Sequence, residues 1–298
     1  MTAVPGASAW VRAMPLVFVL IWSTGFIVAK YGLPHAPPLG FLAWRYVFSI
    51  ACFLIWIFLS GAQWPHHLSQ WWHLAVTGVL MHASYLGGVW FAVEHGMGSG
   101  LAALIVGLQP VLTAVWVSRI EGGAVSRTQW LGLLLGFGGL LLVLWRKLMV
   151  GTEVSVLTVS ATVFSLLAIT AGTLYQKRHL RDTDARTANV IQLAAALIVT
   201  LPLTWLESEP IAWNAPFIAA MAWAVLALTL GGSSLLYVLI QRGAATSVTS
   251  LFYLVPPTTA IMAWLLFDEM ITLTTLLGTA VTALGVALVV RSPRAKNA

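Results

Sequence analysis

The chain reads as long apolar runs separated by short polar breaks. Apolar residues fill about 13–33, 38–60, 70–93, 97–119, 128–146, 154–177, 187–206, 215–240, 245–267 and 272–290. Each run is close to the length of about 20 residues that an α-helix needs to cross a bilayer. The breaks carry Pro, Gly or charge: "LPHAPP" at 33–38, "GAQWPHH" at 61–67, "RHLRDTDAR" at 178–186 and "ESEPIAWNAP" at 207–216. In lipid only helices and closed barrels satisfy every backbone group. A barrel strand alternates apolar and polar residues, and these runs are continuous. The pattern predicts an all-α integral membrane protein with ten transmembrane helices.

Composition and charge sharpen this picture. Hydrophobic residues make up 59% of the 298 residues and charged residues 8%, against about a quarter charged in soluble domains. The first run exceeds a signal-peptide core and lacks an evident cleavage site, so it reads as a retained span. Cys52 is the single cysteine and reads as a small packing residue. The net charge of +6 does not point to nucleic acid, because the basic residues follow topology. With the N-terminus cytoplasmic, Arg12, Arg119, Arg127, Lys177, Arg178, Arg181, Arg186, Arg242, Arg291, Arg294 and Lys296 all fall inside. Only Arg146 and Lys147 fall in an outer loop. The positive-inside rule therefore places both termini in the cytoplasm.

Sliding the chain by 146 residues lays one half on the other. Thr24 falls on Thr170, Pro110 on Pro256, Thr113-Ala114 on Thr259-Ala260, Gly132 on Gly278 and Gly139 on Gly285. Matches of Leu or Val are common in apolar sequence, but Pro, Gly and Thr at one constant offset are not. The repeat gives two units, 13–146 and 154–291, of five spans each. An odd number of spans inverts the second unit in the membrane, an architecture found in many secondary transporters.

The stretch "WSTGFIVAK" (22–30), then "FLAWRY" (41–46), "QPVLTAVW" (109–116) and "LVPPTTAIMAWLLFDE" (254–269) together resemble the EamA-type members of the drug/metabolite transporter superfamily. The resemblance covers about residues 13–290 and extends to aromatic amino acid exporters. It implies two inverted five-helix halves around a central cavity. It also implies export of small metabolites such as amino acids from a bacterial inner membrane. One departure stands out. The Gly-Glu pair usual after span four is replaced by "RIEGGAVS" (119–126), with Gly123 at the acidic position. The second copy keeps Glu269, with Asp268 where glycine is usual.

Candidate chemistry starts from charge inside the spans. Lys30 and Arg45 fall in the outer half of the bilayer, where a buried charge is expensive and marks a pathway or a partner. Two readings stay open. One is an ion pair with Glu94, Asp268 or Glu269, and the other is a basic vestibule for a substrate carboxylate, which suits a guanidinium fork. Trp22, Ser23, His82, Tyr85, Gln109, Tyr175, Tyr237 and Tyr253 lie within spans. Their aromatic faces and few polar groups suit an amphipathic metabolite. His82 is titratable near mid-membrane and is a candidate for proton coupling, or a hydrogen-bonded core residue. Pro110, Pro256 and Pro257 remove backbone donors at matched places, which suggests gating elements or static kinks. Gly132 and Gly136, with Gly278 and Thr282, form small-residue steps. They predict that spans five and ten pack together, within one chain or across a homodimer. His66, His67 and His73 read as a solvated or headgroup-facing cluster rather than a metal site.

The function that follows is a secondary exporter working by alternating access on a small-molecule substrate among membrane lipids. No GxxxxGK[ST] stretch is present, so a nucleotide-driven pump is not indicated. No cofactor or metal is expected, and the scattered carboxylates argue against an enzyme. A lipid scramblase and an integral-membrane enzyme acting on lipid-linked substrates are the competing classes.

Overall fold

A computed structural model describes residues 9–120, 126–150, 154–180, 183–241 and 254–291. Among these residues every regular element is a helix. In chain order they are α1 (Ala9–Gly32), α2 (Pro38–Ser60), α3 (Leu68–Glu94), α4 (Ser99–Val106), α5 (Gln109–Ile120) and α6 (Arg127–Val150). Then come α7 (Val156–His179), α8 (Ala185–Leu203), α9, running from Ala215–Trp223 to Ser234–Gln241, α10 (Val255–Phe267) and α11 (Leu273–Arg291).

Six stretches among the described residues are long and apolar enough to cross a membrane: Leu16–His35, Pro38–Ser60, Leu68–Glu94, Val156–His179, Ala185–Leu206 and Ala215–Leu239. The rest of the expected ten spans fall on shorter apolar helices, Ser99–Thr113, Arg127–Val143, Val255–Phe267 and Leu273–Leu288. The protein is thus a multi-pass membrane protein. Its outward faces are apolar, with Phe58 88% exposed, as lipid contact requires.

Two of the shorter stretches owe their form to proline. The fourth expected span breaks at Gly107 and Leu108, and Pro110 stands in the first turn of α5, where its missing N–H costs nothing. Pro256 and Pro257 stand likewise in the first turn of α10. These prolines start helices rather than kink continuous ones.

The helix ends are secured across the chain. α2 begins after Pro37 without a side-chain cap of its own. The Glu207 carboxylate fills that role, accepting from Leu39 N at 2.7 Å and Gly40 N at 2.8 Å. A carboxylate there also complements the helix dipole. At the opposite end Asp184 caps α8, accepting from Arg186 N at 2.9 Å. Its hydrogen bonds to the Arg186 side chain hold its carboxyl below the ordinary carboxylate range.

α6 and α11 pack face to face within the chain. Thr282 Oγ1 donates to Gly136 O at 3.3 Å. A Cβ on Gly139 would lie 2.5 Å from Gly278 O, and a Cβ on Gly285 would overlap the backbone of Gly132 and Gly136. The expected small-residue steps are therefore the contact, as close backbone approach demands. Gly136 and Thr282 are equivalent under the sequence offset. The contacts Gly139–Gly278 and Gly285–Gly132 exchange under it, as an isologous interface does.

Candidate functional site

Two helices depart from α geometry where the bundle has its cavity. α3 widens into a π-helical stretch at Val79–Ser84, and α9 does so at Ala224–Ser233. The two overlap under the 146-residue offset. A π segment releases carbonyls from the regular ladder and turns side chains out of register, and it is frequent at functional sites. Here Tyr46 Oη donates to His82 O at 2.9 Å, and Thr229 Oγ1 donates to Ala224 O at 2.9 Å.

Between these segments lies a cavity walled by six helices. α1 contributes Trp22, Gly25 and Phe26, α2 contributes Arg45, and α3 contributes residues from Met81 to Trp90. α7 adds Gln176, α8 adds Asn189 and Gln192, and α9 adds Leu228, Ser233, Leu236 and Tyr237. The lining is thus aromatic and aliphatic with one guanidinium, one imidazole and three amides.

Arg45 is the dominant charge. It is 6% exposed, and its Nε donates to Thr229 Oγ1 at 3.0 Å. No carboxylate pairs with it among the described residues. Trp22, His82, Tyr85 and Gln192 line the same cavity. Gln192 Nε2 also reaches Gln176 Oε1 at 3.4 Å. The Tyr237 hydroxyl meets Thr183 Oγ1 at the loop before α8.

The structure gathers Trp22, Arg45, His82, Tyr85 and Tyr237 around this one cavity. The other candidates lie elsewhere. Ser23 is buried, donates to Val19 O at 2.7 Å, and accepts from Thr259 at its own carbonyl, so it joins α1 to α10. Lys30 pairs with Glu269 Oε1 at 2.7 Å. Glu269 also accepts from Ser99 N at 3.2 Å, tying α1 and α4 to the end of α10. Gln109 Nε2 donates to Thr173 Oγ1 at 3.1 Å, bridging α5 and α7, and its carbonyl oxygen has no partner among the described residues. Tyr175 faces away from the cavity, with its hydroxyl 2.7 Å from His73 Nδ1. Tyr253 lies outside the described residues. Pro110 and Pro257 do not line the cavity, while Pro256 packs beside Gly107 at the break between α4 and α5. Among the described residues no group of three His, Cys, Asp or Glu side chains converges as metal ligands would.

Gln176, Asn189 and Gln192 were missed in the sequence because they sit near the charged loop at 178–186, where polar residues look interfacial. A signal was present. Asn189 and Gln192 recur three apart on one face of an apolar helix, and Gln176 is the offset partner of Lys30.

The EamA-like transporter family model matches twice, over residues 10–145 and 155–291. The chain belongs to the EamA-like transporter family. This EamA-family chain is 25% identical over 289 residues to an uncharacterized transporter, YvbV, of Bacillus subtilis (strain 168), covering 96% of this chain and 93% of that one. A probable amino-acid metabolite efflux pump of Escherichia coli (strain K12) is 23% identical over 270 residues, covering 87% of each. The uncharacterized inner membrane transporter YedA of the same strain is 28% identical over 123 residues, covering 41% of this chain and 40% of its own. A solved crystal structure shares the fold, with a TM-score of 0.69 at 13% identity, covering 95% of this chain and 96% of that one. The family and these relatives are named for transport rather than catalysis. The EamA-family protein is accordingly a membrane transporter.

Proposed function

We propose that this protein is a secondary exporter of small amphipathic metabolites, amino acids and related compounds with aromatic ones among them. It works by alternating access across the inner membrane with both termini in the cytoplasm. The chain would cross ten times, as two inverted five-helix units at 13–146 and 154–291, and it needs no cofactor.

One observation carries the reading. The cavity is lined by α1, α2 and α3 and by α7, α8 and α9, which are the first three spans of each unit under the 146-residue offset. A site on the axis between inverted units can be opened to either face by rocking one unit against the other. The matched π segments, the matched proline starts and the exchanged contacts of the α6–α11 seam support the same symmetry. The efflux pump named among the relatives supports export as the direction. In this reading the α6–α11 seam is the fulcrum, and the residues at the cavity select the solute.

The test is counterflow into liposomes holding the purified protein, with labelled amino acids, aromatic metabolites and their deaminated and acylated relatives. Saturable counterflow of at least one compound is expected. Trp22→Ala and Tyr85→Ala should each lower it about tenfold or more, because each removes an aromatic wall of the cavity, and truncating a large buried aromatic side chain costs several kcal/mol of contact. A flat panel, with labelled lipid moving between leaflets instead, would make the protein a scramblase and end the exporter reading.

A further inference from the structure

Arg45 poses an electrostatic problem that the protein does not solve by itself. Its side chain is buried at the wall of the cavity, and only Nε is engaged, by Thr229. Among the described residues the cavity lining contains no Asp or Glu. The tyrosines Tyr46 and Tyr85 are its electrostatic neighbours, together with His82. Lys30, the other charge within the first spans, already has Glu269. A buried, uncompensated guanidinium is retained at a high desolvation cost. The opposite charge that completes it must arrive with the solute.

We infer that the transported solute is an organic monoanion with no cationic group: a monocarboxylate of aromatic or branched apolar body whose amine is absent or acylated. This rests on the transport reading and narrows it.

Three features argue for this class. First, the two free guanidinium nitrogens offer a fork for one carboxylate, the geometry that arginine serves best. Second, the charge count closes. A monoanion leaves the cavity neutral, whereas a zwitterion leaves it with the net positive charge of Arg45. The ammonium of an α-amino acid is one carbon from its carboxylate. Seating that carboxylate on Arg45 therefore brings a like charge close to the guanidinium, with no acidic side chain to offset the repulsion in low dielectric. Third, the rest of the wall matches the rest of such a molecule. Trp22, Phe26 and Trp90 give apolar faces, while Gln176, Asn189 and Gln192 can both donate to and accept from a neutral amide.

A matched series tests this on the full-length protein, by titration calorimetry in detergent and by counterflow in liposomes. The series is 3-phenylpropionate, N-acetylphenylalanine, phenylalanine, phenethylamine and methyl 3-phenylpropionate. The two anions are expected to bind and exchange at least tenfold better than phenylalanine, and phenethylamine not at all. Arg45→Gln should remove the advantage of 3-phenylpropionate over its methyl ester. If Arg45→Gln does not fold, Arg45→Lys carries that arm. It keeps a charge but loses the fork, and should weaken the anions severalfold while preserving their rank. Equal or better binding of phenylalanine overturns the inference and leaves the transport reading standing. An anion preference that survives Arg45→Gln, or anion affinity unchanged in Arg45→Lys, also overturns it. Exchange of none of the five compounds overturns the inference, and a flat amino-acid panel beside it defeats the transport reading as well.

Discussion

Gly78→Ala abolishes counterflow and sharply lowers the yield of monodisperse protein, although it adds a single methyl group. A Cβ at Gly78 would overlap the backbone of Gln192 in α8. No rotamer change relieves a clash with backbone, so α3 and α8 must move apart. Forcing a group into a packed contact costs about 1–3 kcal/mol and sometimes more. The displacement strikes the site as well. α3 carries His82 and Tyr85 into the cavity, and α8 carries Asn189 and Gln192. Gly138→Ala is the control, since a Cβ there meets nothing within 4 Å. Size-exclusion profiles and thermal midpoints of the two variants check this directly. A well-behaved, active Gly78→Ala protein would mean that the two helices are not in backbone contact.

Lys30→Glu lowers transport tenfold or more, and adding Glu269→Lys restores most of it. The pair closes the end of the bundle where α1 meets the turn after α10, at 2.7 Å, with Lys30 also 5.0 Å over the Phe267 ring. Lys30 is about a third exposed, so the static bridge contributes about 1 kcal/mol or less. The larger effect of the single reversal comes from setting two carboxylates together where the end must close. Under the 146-residue offset the pair falls on Gln176 and Gly123, which carry no charge. In the proposed alternating-access cycle the Lys30–Glu269 pair would favour the state in which this end is closed, and the charge-swapped double variant would keep that preference. A double variant no more active than Lys30→Glu would show that the positions matter individually and not as a pair.

Much of the fold was legible because lipid imposes simple demands. Run lengths gave the helices, and Pro110, Pro256 and the glycines of α6 and α11 gave the repeat. The α6–α11 contact followed from small residues at matched spacing. The site was only half legible. In a membrane protein both the lipid-facing and the packed sides of a helix are apolar, so periodicity does not separate cavity from surface. Trp22, Arg45, His82, Tyr85 and Tyr237 stood out because polar or amphipathic groups are rare in mid-span. Ser23 and Gln109 stood out for the same reason and are interhelical ties. Tyr175 differs from the cavity residue Gln176 by one position, which is a turn of about 100° on an α-helix. The π segments left no signal, since they arise from packing between helices and not from a local residue pattern.

In the proposed transport cycle one cavity faces each side of the membrane in turn. A single thiol can report this: Met81→Cys, at the cavity wall, in a Cys52→Ser background. It would be labelled by a membrane-impermeant maleimide in right-side-out and in inside-out vesicles. Alternating access gives labelling from both sides, slowed from both by saturating a transported solute. Labelling from one side alone, with no solute effect on the other, would contradict it.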